Sequence, residues 1–126
     1  MKGILMFGLF WIIVCFGGHC QVQQERVIDS LRIVLASAEN DTVRLLSTGR
    51  IANIYSEINP DSAFYYSQIM LPIAQQFGVR LEEAAALGEM GYAQINLGNY
   101  PRSLQYLLSA ISITSDKESE KNVSKA

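Results

Sequence analysis

Apolar residues recur at helical spacing along most of the chain. Val27, Leu31, Val34, Leu35 and Ala38 form one stripe at i, i+4, i+7, i+8 and i+11, which predicts an amphipathic helix. Asn40-Asp41-Thr42 stops it and offers oxygen side chains to cap the next one. A second helix is expected from about Val43 to Ile58, burying Leu45, Leu46, Ile51, Ala52, Ile54 and Tyr55. Asn59-Pro60-Asp61 is a start signal: an N-cap, a proline at the first helical position and an acid near the positive helix end. The third helix carries Ala63, Phe64, Tyr66, Ile69, Met70 and Ile73. Pro72 lies inside that pattern and predicts a kink or an early end, because its ring clashes one turn back. The fourth, Leu81 to Leu97, is rich in small residues, among them Gly88 and Gly91. Each glycine costs about 1 kcal/mol against alanine in a helix, so both predict close approach of a neighbouring helix. Gly98-Asn99-Tyr100-Pro101 makes the next turn, and a fifth helix from Pro101 to about Thr114 presents Leu104, Leu107, Leu108 and Ile111. Residues 117–126 read as a polar tail, frayed or weakly helical. No strand signal competes, so the mature chain is expected to be all-α.

The first twenty residues follow another pattern. They hold 14 apolar side chains and one charge, Lys2, ahead of the uninterrupted run Ile4 to Phe16. As a helix, thirteen residues would reach roughly 20 Å, short of the ~30 Å hydrocarbon layer. A positive start, a short greasy centre and small residues after it are the parts of a cleavable secretory signal. Gly18 and Cys20 stand at −3 and −1 if cleavage falls before Gln21. The expectation is therefore a signal peptide at 1–20 and an exported, periplasmic or secreted product. An uncleaved anchor is the alternative, since residues 3–24 hold no charge and could span by tilting. A lipidated Cys20 is disfavoured by His19, which stands where that processing signal needs a small residue.

Cleavage would remove Cys15, Cys20 and His19, leaving no cysteine and no histidine. That excludes a disulfide scaffold, Ser/His/Asp or Cys/His catalysis and His/Cys zinc sites. No glycine-rich phosphate loop is present, and Glu82-Glu83 are adjacent helix positions that point apart. A net charge of −2 excludes the strongly basic surface of a nucleic-acid binder. No enzyme activity, cofactor or metal is expected.

The mature part also repeats itself. Pro60-Asp61-Ser62-Ala63-Phe64-Tyr65 and Pro101-Arg102-Ser103-Leu104-Gln105-Tyr106 share a Pro-x-Ser-apolar-x-Tyr pattern, each after an Asn-led turn. Self-similarity across two helix pairs marks a helical solenoid. In these residues the chain resembles the tetratricopeptide repeat (TPR) family, whose unit of about 34 residues is a pair of antiparallel helices. In the second unit (81–114), Leu87, Met90 and Gly91 match the core of helix A, Gly98 and Tyr100 the turn, and Leu107 and Ala110 helix B. It departs from the pattern at Gln94, Ser103 and Ser115. In the first unit (42–77), Ile51, Ala52, Tyr55 and Ala63 match, but the turn lacks its glycine. Ala63 and Ser103 stand 40 positions apart, so about six extra residues are expected between the units, near Met70–Arg80. The stretch Asn59–Tyr66 also looks like the exported repeat arrays that precede bacterial sensor kinases and transcription regulators.

The resemblance implies a protein-interaction module over 21–116 whose A helices line a concave groove. Carried over, the groove positions are Leu46, Gly49, Asn53, Ser56 and Glu57, then Ala85, Gly88, Tyr92, Ile95 and Asn96. Asn53, Ser56, Gly88, Tyr92 and Asn96 are the expected contacts to a protein or peptide partner. The two-lysine clamp that some members use on a terminal carboxylate is absent, because Gly49 and Gly88 occupy the matching positions. Two units are few for a solenoid. The sequence after Ser115 has little apolar stripe to cover Leu104, Leu108 and Ile111, which implies self-association, a docked partner, or kinship with longer arrays. A membrane association follows only if the first segment is retained, and an input segment of a signalling protein is the alternative function.

Overall fold

The computed structural model describes residues 22–123, with side-chain environments through Ser115. The expected signal segment therefore lies outside the described residues. The chain divides into two compact units, Met1–Ser30 and Leu31–Ala126. In the first, the helical residues 22–30 bury Ile28 and leave Val27 at the surface, one position off the expected stripe.

The second unit is a series of helices. The end of α1 (31–37) is followed by α2 (Asp41–Ser56), α3 (Pro60–Gln76), α4 (Arg80–Asn96) and α5 (Tyr100–Val123). No strand occurs among the described residues. The starts are set by the residues read as caps. Asn40 accepts from the Thr42 N–H at 2.7 Å, and Asn59 from the Ser62 N–H at 3.0 Å with Pro60 behind it. Each satisfies a donor that has no partner inside its helix.

The stops of α3 and α4 are built alike. The Gly78 N–H donates to the Gln75 carbonyl and the Val79 N–H to the Ala74 carbonyl, closing α3 with a pair of hydrogen bonds. Gly98 and Asn99 repeat this on Ile95 and Gln94 at the end of α4. The geometry requires a left-handed residue, and Gly78 (φ 64°) and Gly98 (φ 77°) supply it. The turn after α2 lacks such a glycine and makes only single turns onto the Tyr55 carbonyl.

Pro72 neither ends α3 nor shortens it, since the helix continues to Gln76. The bond that its missing N–H would make falls to the Gln68 carbonyl. Both residues lie on the exposed side, where water can take the donor's place. The extra length between units is likewise helical rather than looped. The loops after α2, α3 and α4 are three residues each, and α3 and α5 begin 40 positions apart. The period is stretched by longer helices. At the far end, α5 also outruns the expected stop at Thr114.

Successive helices pack in pairs, α2 on α3, α3 on α4 and α4 on α5, and α2 also approaches α4 directly. Leu45, Met70, Ala74 and Ala86 form a core cluster, with Leu71 and Ile73 against it. The repeat positions Ile51, Ala52, Ala63, Leu87 and Met90 are buried, and Tyr55, Leu107 and Ala110 half-buried. The two glycines of α4 differ. A methyl group on Gly91 would stand 2.7 Å from Leu107 Cγ and 3.4 Å from the Ser103 carbonyl, so here α5 does approach closely. Around Gly88 nothing lies within 4 Å of such a methyl, and the expected packing reason is absent.

Two fully buried hydroxyls bond within their own helix. Thr48 Oγ1 donates to the Arg44 carbonyl at 2.6 Å and Ser67 Oγ to Ala63 at 2.8 Å, which satisfies hydroxyls that are fully buried.

Candidate partner-binding surface

The direct approach of α2 to α4 decides which side of the layer is inner. α3 and α5 have no comparable backbone approach and meet through the edge of Phe64 on Tyr106, at 6.0 Å between ring centroids. Helices that come closer on one side of a stack than on the other line its concave side, so α2 and α4 are the inner pair. Both begin on three-residue connections and stand 39 positions apart, which puts matching residues side by side.

The matched positions are Leu46 with Ala85, Gly49 with Gly88, Asn53 with Tyr92, and Glu57 with Asn96. Leu46 is 60% exposed and Tyr92 40%. The periodicity alone assigned Leu46 to the buried set of α2. Its exposure corrects that assignment and agrees with its place among the groove positions. Asn53, Ala85 and Asn96 are also at the surface. Gly88, with open space where a side chain would be, leaves a hollow in the α4 surface between Ala85 and Tyr92. Ser56 is different: it is buried, and its hydroxyl donates to the Asn53 carbonyl at 2.7 Å. It offers nothing to a partner, so its expected groove role is corrected to a structural one.

Glu89 joins this surface without having been singled out in the sequence. Its Oε1 accepts from Asn53 Nδ2 at 3.2 Å, a bond that ties α2 to α4 across the inner face. The signal was available in principle, since Arg50 and Glu89 are the matching pair one residue beyond Gly49 and Gly88. It carried no special pattern. Leu81, 62% exposed near the start of α4, extends the apolar character of the face.

The expected repeat positions Tyr55 and Tyr100 differ. Tyr55 stacks on Tyr66 at 5.8 Å, and the Arg32 guanidinium donates to the Tyr55 hydroxyl at 2.6 Å and to the Tyr66 hydroxyl at 3.3 Å. This clamp fixes the end of α1 to α2 and α3. Tyr100, by contrast, is 66% exposed and packs into no core.

Among the described residues no cluster of His, Cys, Asp or Glu is placed to hold a metal ion, and no helix is long and apolar enough to cross a membrane. The surface is one of shape, apolar area and amide groups. Such groups recognise backbone and side chains of another chain.

Neither a curated protein nor a solved structure matches the chain. The SusR N-terminal TPR domain family matches it over residues 19–122, nearly the whole of the helical part. The helix pairs, the glycine-closed turns and the inner α2–α4 face agree with that match, and the chain belongs to the SusR N-terminal TPR domain family.

Proposed function

We propose that this protein is an exported TPR-type interaction module that holds a protein or peptide partner on the concave face of α2 and α4. The observation that carries the reading is the inner face itself: Leu46, Asn53, Tyr92 and Asn96 exposed side by side around the hollow at Gly88. Tyr92 supplies apolar area with a polar tip, and the two asparagines can bond a peptide backbone as donors and acceptors. The family match begins at residue 19, which leaves almost all of the signal-like segment outside the domain and supports export. Affinity for the full chain's partner is expected to fall about tenfold on Tyr92→Ala, a loss of about 1.4 kcal/mol. Pull-down with the tagged full chain tests this. An unchanged partner yield, with helix content intact, would remove the groove from the account.

A second reading rests on the family's description as an N-terminal domain. It makes the chain the sensory input segment of a bacterial signal-transduction protein. Fractionation separates the two: the input segment predicts a membrane-retained form, the exported module a soluble one cleaved before Gln21.

A further inference from the structure

The face of α5 that turns away from α4 is apolar and bare. Tyr100, Leu104, Leu108 and Ile111 follow one another at helical spacing and are 66%, 58%, 56% and 60% exposed. Its counterpart on α3 lies 40 positions earlier, where Phe64 and Leu71 match Leu104 and Ile111. Those two are half-buried, as expected of a helix with a following neighbour, α4. At the position of Leu108, however, α3 carries Gln68, which is polar and exposed. The α5 face thus carries more apolar surface than the packing of one helix of this repeat onto the next uses.

We propose that this face is a homodimer interface, in which the α5 stripe packs on the same stripe of a second copy about a two-fold axis near Leu108. Two observations select a second copy as the occupant. The first is charge. From Tyr100 to Ser115 the only charged residue is Arg102, and helical spacing places it about 160° from the stripe's centre. Over Tyr100–Ser115, ahead of the charged stretch that begins at Asp116, the uncharged face meets its own image without like-charge repulsion and offers a charged partner nothing to select. The second is area. The four side chains expose roughly 450 Å², so two copies cover about 900 Å² of apolar surface. Pro101, Gln105, Ser112 and Ser115, all exposed at the rim, carry the total past the ~1,000 Å² of a specific interface. That size fits a dimer with a dissociation constant in the micromolar range.

The test uses the full 126-residue chain, co-expressed in two tagged forms, one with photoreactive p-benzoylphenylalanine in place of Leu108. Irradiation is expected to give an adduct of twice the chain mass that holds both tags, with the cross-link mapping to the α5 stripe of the second copy. The same probe at Ser109, exposed on another side of α5, is expected to give at least tenfold less. Leu104→Glu or Ile111→Glu is expected to cut the Leu108 adduct at least tenfold while helix content and protease resistance hold. No homodimeric adduct, equal adducts from positions 108 and 109, or an adduct only to a different protein would each overturn the proposal.

Discussion

Gly88 and Gly91 stand one turn apart in α4, look alike in the sequence, and are opposite in consequence. At Gly91 an added methyl meets Leu107 and the α5 backbone, so Gly91→Ala is expected to destabilise by about 1–3 kcal/mol. At Gly88 the space is open and the backbone helical, so Gly88→Ala should gain about 0.5–1 kcal/mol from helix propensity alone. Urea unfolding of the two variants followed by circular dichroism should move their midpoints in opposite directions. Helix propensity calls for a packing reason at both glycines, and only Gly91 has one. Spacing tells which residues lie on a helix, but not how near the next helix passes. Ser56 and Leu46 were misread for related reasons: a polar residue can be buried when its hydroxyl turns back on its own helix, and an apolar one can face outward on an inner surface.

At the level of the helix, the legible features were the ones with local causes. Asn59 before Pro60 and Gly98 after Leu97 work through bonds within a few residues, and both ends stand where the sequence placed them. Asn59→Ala is expected to cost about 1 kcal/mol through loss of the bond to the Ser62 N–H, read as a lowered melting temperature. Pro72 was less legible, because its penalty depends on whether the orphaned carbonyl faces water. Gln68 and Pro72 are both exposed, so Pro72→Ala should leave the span of α3 unchanged and raise stability by about 1–2 kcal/mol. A fall on that substitution would mean that the proline ring itself packs against something. The form of the repeat's extra length was not legible: the added residues lengthen helices, where they continue a pattern already present and leave no separate signature.

For the molecule as a whole, the repeat and the all-helical class were readable because both rest on periodicity. The pairing of Asn53 with Glu89 was not, since it depends on the approach of two helices that bring together residues 36 positions apart along the chain. Breaking that bond with Glu89→Ala should leave the fold intact and change partner affinity no more than threefold, in contrast to the larger effect of Tyr92→Ala; titration of the purified variant with its captured partner would measure it. The pairwise packing of α2 on α3, α3 on α4 and α4 on α5 carries one more consequence. In such a stack, opening is a zipper process and not a single event: within one copy α3 and α4 each pack on two neighbouring helices, whereas α5 packs on α4 with one ring contact to α3, Phe64 on Tyr106. With 24 residues against the 17 of α4, α5 also extends about 10 Å past its support. In the monomer, diluted below the dimer's dissociation constant, deuterium should therefore enter the backbone from the α5 end inward, as a travelling front that reaches α3 and α4 last.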